Sequence, residues 1–147
     1  MPMPRQPVLY VEDEPVNALL MRALFERIPE AELVVADCGE QALLAARELH
    51  PALLLLDLRL PDMHGSELLP RLRAIPGCER PRAIAVSAEC DFVLCGSGFD
   101  ELWRKPLDVR AMIERIESLL ADARQDSALS MPLLTTPALV AQMAARL

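Results

Sequence analysis

Ala52-Leu53-Leu54-Leu55-Leu56 runs without a polar side chain into Asp57. Successive side chains of a strand point to opposite faces, so such a run describes a strand buried on both of them. Strands of that kind belong to parallel sheets covered by helices on each side. Outward from it, Val8-Leu9-Tyr10-Val11, Leu33-Val34-Val35-Ala36, Ala83-Ile84-Ala85-Val86 and Leu102-Trp103-Arg104 read as four more short strands.

Helical patterns fill the intervals. Pro15 opens a helix behind Glu12-Asp13-Glu14, with Val16, Leu19, Leu20, Ala23, Leu24 and Ile28 at helical spacing and Pro29 as its stop. A second helix follows Gly39-Glu40, with Ala42, Leu43, Ala46 and Leu49, and closes at His50-Pro51. A third is predicted from about Ser66 to Ile75, with its first turn distorted by Pro70. Glu89 to Gly98 is only weakly helical, because Gly96 and Gly98 break it. Asp108 caps a last helix with Met112, Ile113, Ile116, Leu119 and Leu120 on one face. Alternation of strand and helix predicts an α/β doubly wound five-stranded parallel sheet over residues 8–123, a three-layer domain with a shortened fourth helix. Residues 1–7, with three prolines, form an extended arm. Residues 124–147 are expected to be a linker and a short amphipathic helix at 137–147 carrying Leu139, Val140, Met143 and Leu147. Eleven residues are marginal for an isolated helix, so that segment needs a surface to pack on; the expected surface is the shortened fourth helix or another subunit.

A formal charge of −7 and five aromatic residues among 147 oppose direct nucleic-acid binding, which needs a basic footprint and stacking platforms. No apolar run approaches the roughly 18 residues of a membrane span, and Met1 to Pro7 lacks the apolar core of a signal peptide. Cys38, Cys78, Cys90 and Cys95 show no CxxC pair and no metal spacing with His50 or His64. They read as free thiols in a cytoplasmic protein.

In an open parallel sheet, ligands gather at the carboxyl ends of the strands. Glu12 and Asp13 follow the first strand, Asp57 the third, Ser87 the fourth and Lys105 the fifth. Lys105 is the only lysine in a chain whose other basic residues are all arginine, and lysine differs from arginine in being a compact point charge. Each residue alone has a plainer reading: Glu12-Asp13-Glu14 as a helix cap, Asp57 as a turn residue, Lys105 as a solvated strand end. Their convergence on one sheet edge points to a site. Three crowded carboxylates call for a cation, most simply Mg²⁺ with its preference for oxygen ligands.

With these residues in order, the chain resembles the receiver domains of two-component response regulators, the CheY-like family. The likeness covers about residues 8 to 122. It rests on Val8 to Glu14, on Leu55-Leu56-Asp57-Leu58-Arg59-Leu60-Pro61-Asp62-Met63-His64-Gly65, on Val86-Ser87-Ala88, and on Gly98-Phe99-Asp100 through Lys105-Pro106. The resemblance implies a strand order 2-1-3-4-5. It implies Asp57 as phosphoacceptor, taking its phosphoryl group from a histidine kinase or histidine phosphotransfer protein. Asp13, Asp57 and the backbone carbonyl of Arg59 would hold Mg²⁺, with Glu12 acting through a water; Lys105 and Ser87 would contact phosphoryl oxygens. The expected role is signalling by contact with a downstream protein or as a homodimer, not enzymatic turnover beyond slow self-dephosphorylation.

Three departures from the family pattern bear on output. Leu102 stands where family members usually carry Tyr or Phe, and Trp103 faces the other way on strand alternation. Ser87 to Lys105 spans 18 residues, about one helical turn short of the family norm. Arg59 and Glu89 lie two residues beyond Asp57 and Ser87, where a pair could shield the phosphoryl group from water or simply be two solvated side chains. Alternative readings are a pseudo-receiver that does not signal by phosphorylation, a receiver segment of a hybrid histidine kinase, and a small Mg²⁺-dependent phosphohydrolase using His64.

Overall fold

The computed structural model describes residues 4–130, with side chains up to residue 126. The chain runs β1 (Gln6–Val11), α1 (Pro15–Phe25), β2 (Ala31–Ala36), α2 (Gly39–Leu49), β3 (Leu53–Asp57), α3 (Gly65–Arg73), β4 (Arg82–Ser87), β5 (Glu101–Arg104) and α4 (Val109–Ser130). All strand pairs are parallel, in the order β2-β1-β3-β4-β5. That is the order which the family resemblance implied.

The apolar run of β3 behaves as its composition requires. Leu54 and Leu56 enter a core beneath α2 and α3, with Leu9, Ala42, Leu68 and Leu72. Leu53 and Leu55 enter the opposite core, with Met21, Phe25, Ile116 and Leu120 of α1 and α4. Each fully buried leucine contributes about 1.5–3 kcal/mol relative to exposure. Two such layers clamp the central strand from either side, so the carboxylate at its end is held on a rigid element.

Three expectations need correction. No helix forms between β4 and β5: residues 88–100 pass through turns and bends rather than a shortened helix. Gly96 and Gly98 take positive φ values of 77° and 88°, which removes them from helical geometry. The segment is held by other means: Phe92 packs edge-on against Phe99, and Asp100 Oδ2 accepts the Ala83 backbone N–H at 2.8 Å. Next, α4 continues through Ser130, so residues 124–130 are helix instead of linker. The predicted helix at 137–147 lies outside the described residues. Finally, α3 begins at Gly65, which puts Pro70 in its interior and not in its first turn. Proline has no N–H to return to the Ser66 carbonyl, and the helix ends three residues later.

The buried face of α1 is also turned from the expected one. Met21, Leu24 and Phe25 are buried, with Ile28 just beyond the helix, while Val16, Leu19 and Leu20 remain more than 60% exposed. The sequence carries more apolar residues on this helix than the core can cover.

Candidate functional site

The ends of β1, β3, β4 and β5 deliver the site. Glu12 directly follows β1 and is buried; Asp13, next along, is exposed. Asp57 is the last residue of β3 and Ser87 the last of β4, both buried. Lys105 follows β5, and its backbone N–H donates to the Ser87 carbonyl at 3.0 Å, which extends the ladder by one residue. Side-chain positions are thus set by strand register, not by loop conformation.

Lys105 is the centre of the arrangement. Its Nζ donates to Glu12 Oε1 at 2.8 Å and to Asp57 Oδ2 at 3.1 Å. Burial works against the ammonium, but those two hydrogen bonds and the charges behind them outweigh it and hold its pKa above the ordinary lysine value. Asp57 Oδ1 accepts the Arg59 backbone N–H at 3.1 Å, so both Asp57 oxygens are oriented and the Arg59 main chain lies against the acidic group.

Glu12 is asymmetric. Oε1 accepts from Lys105 and from the buried Tyr10 hydroxyl at 3.2 Å, whereas Oε2 is buried without a partner. Burial raises the Glu12 pKa, and the adjacent Asp57 raises it further. Burial and the Glu12 carboxylate push the Tyr10 hydroxyl upward, leaving it a neutral donor. Oxygens of Glu12, Asp13 and Asp57 all lie within 4.8 Å of one another. Three carboxylates facing one ammonium leave an excess of two negative charges, and one buried oxygen has unused acceptor capacity. Such a donor set fits a hard divalent cation.

The loop after Asp57 is pinned at several points. Gly65 N–H donates to the Leu58 carbonyl at 2.7 Å, and a Cβ on Gly65 would stand 2.7 Å from the Asp57 carbonyl oxygen and 3.0 Å from the Leu58 Cα. Both obstacles are backbone. Gly65→Ala is therefore expected to destabilise the fold by about 1–3 kcal/mol, as overpacking does. A urea midpoint equal to that of the parent chain, at unchanged slope, would contradict this.

Asp62 accepts from Gly39 N–H and Glu40 N–H at 2.8 and 2.9 Å, which ties the loop to the start of α2 and lowers its own pKa. Neither this remote cap nor the Tyr10 contact was visible in the sequence; the signal was at most a polar atom in an apolar strand and an acid in a loop.

Glu89 gathers a second cluster. Its Oε1 lies 3.2 Å from Arg59 Nε and 3.0 Å from His64 Nε2. His64 caps α3 through Nδ1, which accepts the Ser66 N–H at 3.2 Å, so Nε2 carries the hydrogen that points at Glu89. The Glu89 backbone N–H donates to Ser87 Oγ at 3.1 Å, and its carbonyl accepts from Arg104 Nη1 at 2.9 Å. The Arg59–Glu89 pair thus exists, and His64 joins it as a third member that no local sequence signal points to. Leu102 and Trp103 face opposite cores, as strand alternation predicts.

The family described as the response regulator receiver domain matches residues 8–117. This chain belongs to that family. It is a receiver domain of the kind found in two-component response regulators. DivK, a polar-differentiation response regulator of Brucella ovis, is 36% identical over 123 residues, spanning 79% of this chain and 97% of DivK. MtrA, a DNA-binding response regulator of Mycolicibacterium smegmatis, is 36% identical over 117 residues, spanning 79% of this chain and 51% of MtrA. The chain therefore spans about half the length of MtrA. A CheY-like receiver structure from Methylobacillus flagellatus superposes with a TM-score of 0.70 at 27% identity, covering 78% of this chain and 98% of that one. Among the described residues, no helix is long and apolar enough to cross a membrane.

Proposed function

We propose that this receiver domain accepts a phosphoryl group on Asp57 from a phosphohistidine of a histidine kinase or phosphotransfer protein. The observation that carries the reading is Lys105 Nζ, held between Glu12 and Asp57 across the ends of three strands. A carboxylate oxygen of Asp57 attacks phosphorus, the phosphorus–nitrogen bond breaks, and its electron pair returns to the imidazole, which takes up a proton. Transfer of this kind needs positioning and neutralised oxygens more than covalent help. Lys105 is placed to pair with a phosphoryl oxygen. Ser87 Oγ already accepts from Glu89 N–H, which leaves its own O–H free to donate to a second one.

Asp13, Asp57 and the Arg59 carbonyl would hold Mg²⁺, with Glu12 behind a water; the ion would neutralise phosphoryl oxygens during transfer. The chain acts as the acceptor, signals through protein contacts, and turns over slowly at most. Against the phosphohydrolase reading, both ring nitrogens of His64 are committed, to Glu89 and to the start of α3.

The test is incubation with a small phosphodonor and Mg²⁺, followed by intact mass. One added phosphoryl group supports the reading; an unchanged mass supports a pseudo-receiver. The same adduct tests the Arg59–Glu89–His64 cluster. Arg59 is 80% exposed, so its pair with Glu89 contributes modestly, and His64 adds the second anchor. Glu89→Ala is expected to shorten the adduct half-life about 3- to 10-fold, equivalent to roughly 0.7–1.4 kcal/mol of barrier. An unchanged half-life would leave these residues a loop tie and nothing more.

A further inference from the structure

Tyr10 is 1% exposed and belongs to the core of α1 and α4, with Met21, Leu24, Phe25 and Ile116. The strand residues that share this core, Val8, Leu53, Leu55, Ile84 and Val86 among them, are aliphatic. A hydroxyl in such a place costs stability unless it finds a partner. Its partner is Glu12 Oε1, at 3.2 Å. The Glu12 N–H donates to the Ala36 carbonyl at 2.9 Å, so the ladder continues one residue past β1. Residues 10 and 12 therefore share a face, which is how the hydroxyl reaches the carboxylate.

Glu12 is itself 1% exposed, and its two donors are unevenly spread. Lys105 Nζ and the Tyr10 hydroxyl both donate to Oε1, one from the end of β5 and one from the core, while Oε2 is buried without a partner. Two donors on one oxygen fix the plane of the carboxyl group and decide which oxygen stays open. Lys105 alone cannot do this. An ammonium has three N–H groups, and Glu12 Oε1 and Asp57 Oδ2 take two of them. With Oε1 held from one side only, the third can turn to Oε2 and draw the open acceptor into the ion pair. Burial keeps the Tyr10 hydroxyl protonated, so it orients the carboxylate without cancelling its charge.

We propose that Tyr10 is a positioning residue for the divalent ion: its hydroxyl locks Glu12 Oε1 and keeps Oε2 free to accept from a water on the ion. This rests on the reading in which Glu12 acts behind a water of Mg²⁺. It goes beyond that reading by extending the site into the α1–α4 core, where a residue that touches neither ion nor phosphoryl group sets the affinity for the ion.

The test is Mg²⁺ titration of the full chain without a phosphodonor, followed by the amide NMR shifts of residues 57–59. Tyr10→Phe keeps the ring and removes the hydroxyl alone. Its Kd for Mg²⁺ is expected to rise about 3- to 10-fold, part of what a hydrogen bond to a charged group contributes. Phe25→Leu, a change in the same core at a residue without a polar side chain, should leave the Kd unchanged. Glu12→Gln supplies the decisive background. Its amide oxygen serves the two donors and its NH2 takes the place of Oε2, so no open acceptor is left for Tyr10 to present. Adding Tyr10→Phe there should change the Kd less than about twofold, as coupling through Glu12 requires. A merely structural role predicts the same loss in both backgrounds. The proposal fails if Tyr10→Phe binds Mg²⁺ as tightly as wild type, if Phe25→Leu weakens binding equally, or if the loss persists in Glu12→Gln. A wild-type chain with no Mg²⁺-dependent shift would overturn the metal reading and the role of Tyr10 together, so the two failures are distinct.

Discussion

Asp57→Asn is expected to abolish phosphoryl uptake completely, while wild-type chain incubated with a small donor and Mg²⁺ gains one phosphoryl group. The amide is nearly isosteric. Its oxygen still accepts the Arg59 N–H, the contact that Asp57 Oδ1 makes at 3.1 Å. What it loses is the anionic nucleophile, one of three carboxylates within 4.8 Å of one another, and the acceptor that Oδ2 offers Lys105 Nζ at 3.1 Å, since an amide NH2 cannot accept from an ammonium. Removing a charge from that crowd relieves repulsion with Glu12 and Asp13, which offsets the lost ion pair to Lys105, so the fold should keep its stability to within about 1 kcal/mol of the parent. The two measurements belong together. Loss of the adduct with an unchanged urea midpoint assigns the chemistry to Asp57. An Asn variant that still gains mass would move the acceptor elsewhere, with exposed Asp13 as the first suspect.

The fold was legible in the sequence because its strands are short apolar runs and its helices are bounded by Pro, Gly and acidic caps. Leu53 to Leu56 cannot be satisfied except between two helical layers, and that fixes a parallel sheet. The site was legible for a related reason: strands that stop abruptly at Asp57 and Ser87 hand those residues to one edge. Strand order came from family resemblance, since periodicity alone does not order strands.

The rest depended on competition between surfaces. Nothing local says that α1 buries Met21 and Phe25 in preference to Leu19 and Leu20, because all are apolar and the helix has one core to face. Gln125 to Ser130 suits either a helix or a polar linker, and the continuous backbone ladder of α4 decides for helix. The weakly helical pattern of Glu89 to Gly98 leaves a shortened helix open; two glycines at positive φ and the contacts of Phe99 and Asp100 make the segment a packed loop. His64 and Glu89, 25 residues apart, meet only once α3 and the end of β4 are in place.

Lys105→Met should have opposite effects on the two ligands of the site. The ammonium now occupies Glu12 Oε1 and Asp57 Oδ2, so it competes with a divalent ion for the same carboxylates. Its removal should tighten Mg²⁺ binding. Phosphoryl uptake should fall, because one ammonium–phosphoryl contact at about 4 Å is on the order of 4 kcal/mol at an effective dielectric near 20, before desolvation. If about half survives desolvation, uptake slows roughly 10- to 100-fold. Stability should fall too, in a way that depends on pH. Glu12 already has a raised pKa in the folded chain, and losing Lys105, which lowers it, raises it further. A carboxyl group with a raised folded pKa binds more protons folded than unfolded, so its stabilising contribution is present below the ordinary glutamate value of about 4.3 and is lost as pH rises through the folded one. The variant should therefore sit closest to wild type near pH 4 and fall furthest behind near pH 8, by about 3 kcal/mol if the buried charge stays uncompensated. Urea midpoints across that range, with Mg²⁺ titrations beside them, separate this from simple misfolding, which would weaken metal binding as well. A pH-independent gap, or weaker Mg²⁺ binding, would remove Lys105 from the centre of the site.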